Sequence, residues 1–403
     1  MRVALVHPHF DAPRGAEKIV FVQAHALKAA GHDVRLLCFD WKPEAFTPAD
    51  RALAPAFLPA PRRLWSGRPD PVTIGALNRA IDGCEVAIAH NYPASAYLGY
   101  ATTGLRRFWY CEEPFRALYV PETRPGLDAA YRDGRLDRDS PLGRYYRRAL
   151  RNSRVNLALN PRYRGKRKAD RAGVLKLDCI AANSGATARI VRTIFCRSVG
   201  VMHCPVDFPA ALPPAAPADA PLRILTMGGF SPLKGLALLL AGFERFMKTT
   251  RVPVMLEVVG AGHEREGIER LIAGTAAANA VRIHGWISQD ELEALRLKCH
   301  AFAAMPADEP FGLVFGEAIA AGLVTLGPDH GGPVEILDHG RAGLVADPFV
   351  PERVATGFAR LASLSAQGRQ AVRETAFASA KRRFDSALLP GRLDEWLTGR
   401  SMF

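Results

Sequence analysis

Apolar residues come in short blocks separated by longer stretches with a different period. RVALVH (2–7), DVRLLCF (33–39), EVAIAH (85–90), RRFWYC (106–111) and LDCIAAN (177–183) read as buried strands. The segment AEKIVFVQAHALKAAG, by contrast, repeats its apolar positions at helical spacing, and Gly31 supplies a stop. A second series follows: RILTMGG (223–229), VMLEVVG (254–260), VRIHGW (281–286), AFAAM (301–305) and VTLG (324–327). The first of these leads into an amphipathic GLALLLAGFERFMKT. Strands interleaved with helices predict the α/β class, with parallel pairing in a doubly wound sheet. Between the two series lies CPVDFPAALPPAAPADAPL (204–222), rich in Pro and Ala with no regular period, which reads as an interdomain linker. The pattern therefore predicts two Rossmann-like domains, 1–205 and 206–385, with a ligand site in a cleft where they face each other.

Composition narrows the class. At 403 residues the chain is long for one core, and 48% hydrophobic with 23% charged residues is ordinary for a globular protein. No apolar run reaches the ~18 residues of a spanning helix, and MRVALVHPHF lacks the flanks of a signal peptide. Seven scattered cysteines, never spaced C-x-x-C, fit reduced thiols and a cytoplasmic protein. The net charge is +13, concentrated between Arg132 and Arg171. That stretch is open to three readings: a solvated face, an anionic membrane surface, or nucleic acid, the last disfavoured because no recognition module accompanies it.

Candidate chemistry lies in loops at strand ends. Neither half contains G-x-G-x-x-G, and VVGAGHERE (258–266) is only an echo of it, which argues against a dinucleotide dehydrogenase. MGGFSPLKG (227–235) places Gly228 and Gly229 after a strand and Lys234 at a helix start, a pattern suited to an anion. Asp308-Glu309-Pro310 forms another such loop, after which Phe311, Gly312 and Leu313 are expected to open a helix. DHGGPVEI (329–336) repeats the theme. Three anion-friendly loops point to a diphosphate or nucleotide. Glu309 and Glu317 could accept hydrogen bonds from vicinal hydroxyls of a sugar or ribose. The alternative is an exposed loop acid and a helix-face acid paired with an arginine.

The run MPADEPFGLVFGEAIAAGLVTLGPDHGGPVEILDHGRAGLVADP resembles the donor-binding region of the family 4 retaining glycosyltransferases, which have the GT-B fold. It carries the paired acids, E-A-x-A-x-G, G-G-x-x-E and G-x-L-V in order. Weaker resemblance extends over APRGAEKIV (12–20), AHNYPASAYLG (89–99), WYCEEPFRALY (109–119), AANSGATARIV (181–191) and HCPVDF (203–208). The resemblance implies that Glu309 contacts the transferred sugar, Glu317 holds the ribose, and Lys234 neutralises the diphosphate. It further implies backbone contacts to the donor from Phe311, Gly312 and Leu313. His284, Gly285 and Trp286 would lie against the base, Gly15 would close over the phosphate, and Glu335 would orient the glycine loop. His90, Asn91, Glu113 and Arg116 fall in acceptor-side segments, and a C-terminal helix, 386–403, would return to the first domain.

Two departures from the family pattern stand out. Gly229 occupies the place of a usual arginine, and Arg14, where relatives have glycine, could replace its charge. Glu112 stands where relatives have histidine in C-H-x-P, so it would meet sugar or acceptor as a carboxylate. The resemblance implies no cofactor and no metal, and DRD (137–139) reads as surface. It implies hexose transfer from a GDP- or UDP-sugar to a lipid-linked or polysaccharide acceptor, at the inner membrane face. The alternatives are a soluble acceptor or a catalytically silent nucleotide-binding scaffold.

Overall fold

In the computed structural model, which describes residues 1–60, 69–102, 104–217, 221–275 and 277–399, every apolar block becomes a parallel strand. The chain divides into two units, the first of Met1–Thr123, Ala149–Pro205 and Ala387–Phe403, the second of Arg124–Arg148 and Val206–Ser386.

The first unit contains β1 (Arg2–Val6), β2 (His9–Phe10), β3 (Asp33–Cys38), β4 (Asp40–Trp41), β5 (Ala56–Phe57), β6 (Val86–His90), β7 (Arg106–Cys111), β8 (Cys179–Ala182) and β9 (Gly200–Val201). Seven of them form a parallel sheet in the order β5-β3-β1-β6-β7-β8-β9, while β2 and β4 pair separately. Helices cover both faces, so β6 is buried along its whole length, as its unbroken apolar sequence requires. Tyr97, Trp109, Tyr119 and Phe195 fill the core. The C-terminal helix Leu389–Thr398 belongs to this unit: buried Trp396 packs on Phe108 and donates from Nε1 to Cys179 Sγ at 3.1 Å. Helix Ala94–Gly99 meets helix Pro161–Val174 backbone to backbone. A Cβ on Gly99 would lie 1.9 Å from Gly173 O, so only glycine fits.

The second unit contains β10 (Leu222–Met227), β11 (Val254–Val259), β12 (Val281–Gly285), β13 (Ala301–Ala303), β14 (Val324–Pro328) and β15 (Leu344–Ala346), all parallel, in the order β12-β11-β10-β13-β14-β15. Phe243, Phe246 and Phe358 cluster beneath it. The Pro-rich segment has no helix through its described residues, and it lies strapped to this unit. Lys381 Nζ donates to Pro209 O (2.6 Å) and Ala210 O (3.0 Å), Arg373 to Pro213 O (2.6 Å), and His300 Nε2 bonds Pro217 O (2.9 Å).

Residues 124–148, from the first half of the sequence, count with the second unit. The buried Asp308 holds them there. One carboxylate oxygen accepts from Gly126 N (2.9 Å), the other from Leu127 N (2.7 Å), at the start of helix Pro125–Arg132. Asp308 thus caps a helix whose N–H groups lie 181 and 182 residues away in sequence.

Two substitutions test these contacts by chemical denaturation. Gly99→Ala should lower stability by about 1–3 kcal/mol through overpacking. Asp308→Ala should cost about 1–2 kcal/mol by leaving the helix N–H groups uncapped.

Candidate functional site

In the second sheet β10 is the switch point: β11 and β12 lie on one side, β13 to β15 on the other. In an open parallel sheet, ligands bind outside the carboxyl ends of the strands at such a switch point. The loops after β10 and β13 carry Lys234 and Glu309. The β10 loop runs through Gly228 and Gly229 into a tight turn at Pro232–Lys234. Gly235, at φ +68°, then presses on the other loop: a Cβ there would lie 1.8 Å from Met305 O. Ala307 N donates to Leu233 O at 2.9 Å, tying the loops together. This brings Lys234 Nζ to 3.1 and 2.9 Å from the two carboxylate oxygens of Glu309. The lysine side chain is 46% exposed, and an ion pair so exposed contributes about 1 kcal/mol or less. A competing phosphate can therefore take the ammonium at little cost.

The backbone of Glu309 is fixed from the third loop. Gly332 N donates to Glu309 O at 2.8 Å, and a Cβ on Gly332 would lie 2.2 Å from Pro310 O. The following helix spans Leu313–Ala320 and not 311 onward, because Gly312 takes the left-handed conformation (φ 92°, ψ 57°), which a right-handed helix cannot continue. Phe311 turns into the core against Phe384. Glu317, just past the first turn, has its side chain 43% exposed and accepts from Arg296 Nη2 at 3.4 Å. Its pairing with an arginine is the alternative that the sequence left open; the second oxygen has no bond to that arginine.

At the other edge of this sheet His284 on β12 places Nε2 2.8 Å from Glu257 Oε2, and Glu257 Oε1 accepts from Arg223 at 2.6 Å. The ring is thereby held by a buried carboxylate. Gly285 O accepts from Gly260 N (2.8 Å), and Trp286 stands 83% exposed. Glu335 lies in the short helix Pro333–Ile336, its N–H bonded to Gly332 O at 3.0 Å. In the same loop His330 bonds Asp329 at 3.1 Å, which holds that carboxyl below its ordinary pKa.

The remaining candidates belong to the first unit. Gly15 opens helix Gly15–Ala29, and Arg14 ahead of it pairs with Asp11 at 3.3 Å. Buried His90 places Nδ1 2.8 Å from Glu112 Oε1, so two residues inferred separately form one pair at the ends of neighbouring strands. Asn183, at the end of β8, donates to Glu112 O at 3.0 Å. His90 Nε2 and Glu112 Oε2 are both buried without a hydrogen-bond partner. His7 at the end of β1 bonds His9 O through Nδ1 (2.8 Å), which makes Nε2 an acceptor for Asn91 Nδ2 at 3.3 Å. Burial, then the charges of His90 and His9, push its pKa well down, consistent with that neutral tautomer. Glu113 and Arg116 pair with each other at 2.5 Å.

Sequence reasoning missed Arg296, Glu257, His7 and Asn183, and named Asp308 only as part of a loop, without its capping role. Glu257 had a signal, a lone acid inside the apolar strand VMLEVV. Arg296 and Asp308 had none, since their partners are distant in the chain.

Residues 212–378 match the family model of glycosyl transferases group 1. The lipopolysaccharide core biosynthesis glycosyltransferase LpsE of Rhizobium meliloti is 28% identical over half of this chain and 60% of its own length. A GDP-mannose-dependent phosphatidylinositol monomannoside mannosyltransferase of Mycobacterium tuberculosis is 31% identical over 36% of this chain and 39% of its own. The chain thus matches less than two thirds of the length of either relative. Among solved structures, Anabaena HepE in complex with UDP superposes with a TM-score of 0.70 at 17% identity, over 99% of this chain and all of that one. The lipopolysaccharide glycosyltransferase WaaG gives 0.67 at 16%, over 98% and all. At such identities these likenesses speak to fold. The chain thus has the GT-B fold, and the paired acids and glycine loops after β10, β13 and β14 lie within the segment 212–378 that matches the model of glycosyl transferases group 1.

Proposed function

We propose that this protein transfers a hexose from a nucleoside-diphosphate sugar to a lipid-linked or polysaccharide acceptor, with retention of anomeric configuration. The observation that carries this reading is the Lys234–Glu309 pair at the switch point of the second sheet. When the donor binds, its diphosphate takes Lys234, and Glu309, released from the ammonium, accepts hydrogen bonds from the sugar hydroxyls. Glu317 keeps one oxygen on Arg296 and offers the other to the ribose. With the His284 ring held by Glu257, the base meets the backbone at Gly285 and the exposed face of Trp286.

In the reaction the bond between the anomeric carbon and the phosphate oxygen breaks, and the acceptor oxygen bonds that carbon from the same face. The acceptor proton passes to the departing phosphate oxygen. Negative charge grows on the leaving diphosphate, so Lys234 and neighbouring backbone N–H groups make their largest contribution in the transition state. No arginine assists at Gly229, so Lys234 carries more of the leaving group's charge. Glu112 acts through His90, orienting its ring on the acceptor side.

The relatives support a uridine or guanosine donor and a glycolipid product: HepE is described with UDP, the mycobacterial relative as GDP-mannose-dependent, and LpsE with lipopolysaccharide core. Thermal shift with UDP and GDP discriminates the base, since saturation at a hundred times Kd raises stability by ~2.7 kcal/mol. Lys234→Ala should reduce transfer ~100- to 1000-fold and weaken nucleotide binding. Glu309→Ala should abolish transfer yet keep the shift produced by the free nucleotide. If neither nucleotide stabilises the protein, or Glu309→Ala transfers sugar at the parent rate, the reading is wrong.

A further inference from the structure

Much of the basic excess gathers on two consecutive helices. Within the first unit, residues 149–176 hold nine Lys and Arg and a single acid, Asp170. That acid is internal: it is buried, it accepts from Tyr119 Oη at 2.5 Å, and burial pushes its pKa up to about 7. It therefore does little to offset the surface charge.

The cations are ordered. Along helix Pro161–Val174 and its exit, Arg164, Arg167, Lys168, Arg171 and Leu175 recur at the spacing of one helical face. With Leu157 of the preceding helix they line an open pocket of about 420 Å³. Arg164 is braced by bonds to Leu157 O (3.1 Å) and Ala158 O (2.7 Å), which satisfy its donors without cancelling its charge. Arg167 pairs with Glu122 at 2.6 Å, whereas Arg162 and Lys168 pair with no acid among the described residues. Apolar side chains flank the stripe in the open: Leu159, 78% exposed at the turn between the helices, with Val155 close before it, and Leu175 at the far end.

Cations alone would suit any polyanion. Leucine and valine standing clear of the surface among them suit an interface with an acyl layer, because neither offers bases the aromatic face on which single strands stack. We propose that this face docks on an anionic lipid bilayer, with headgroup phosphates along the stripe and Leu159 and Leu175 at the acyl boundary. The proposal stands apart from the donor chemistry, which concerns the other unit.

The test is sedimentation of the full chain with vesicles of phosphatidylcholine alone and vesicles containing phosphatidylglycerol. Binding should appear only with the anionic vesicles and fade at high salt. Lys168→Glu, a change of two charge units on an exposed side chain, should weaken it by about 30-fold. Leu159→Ser should weaken it several-fold with the salt dependence unchanged. Both variants should keep the parent melting temperature, which separates lost docking from lost folding. Equal binding to neutral vesicles, no binding to anionic ones, an inert Lys168→Glu, or displacement of vesicles by RNA at equal salt would each overturn the proposal.

Discussion

The candidate donor region depends on contacts too close for any side chain. At the carboxyl ends of β10, β13 and β14 three loops touch backbone to backbone, with Gly235 on Met305 O and Gly332 on Pro310 O. A Cβ at either place would push the loops apart by more than an ångström. Lys234 directly precedes one glycine, and Glu309 accepts its hydrogen bond from the other. Their meeting is thus a consequence of chain packing, and a salt bridge of their own strength could not enforce it.

The two units hold their polar groups in opposite ways. Lys234–Glu309 is half-exposed, so water pays little attention to whether it is open or closed, and a ligand can exchange into it. His90–Glu112 is buried, and removing one partner there would strand the other without solvent. The first arrangement suits a group that must switch partners during binding. The second suits a ring whose direction must not change. His7, neutral and hydrogen-bonded at both nitrogens, extends that rigid set to the end of β1.

Composition alone misdescribes two segments. Residues 204–217 have the Pro and Ala content of a loose linker, yet Arg373, Lys381 and His300 bind their carbonyls to the second unit. Proline lacks an N–H but keeps its carbonyl, so a Pro-rich strand is easily strapped by side-chain donors. The basic run reads as undifferentiated charge until helical spacing sorts it into a stripe, a buried acid and exposed leucines.

The sequence by itself determined the class, the strands of more than three residues and the residue types at their ends. Continuous apolar blocks are a local signal, and burial on both faces of a parallel sheet demands them. The two-residue strands β2, β4, β5 and β9 carry no such signal, because so short a pairing is imposed by the neighbouring strand. Glu309, Glu317 and Lys234 were legible as chemistry, but their partners were not: Arg296 lies 21 residues from Glu317, and Lys234 lies 75 from Glu309. Only the tertiary structure decided that residues 124–148 join the second unit, since a carboxylate capping two N–H groups 181 and 182 residues away leaves no trace in local pattern. Periodicity records which face of an element is buried; it cannot record which distant group waits on the other side.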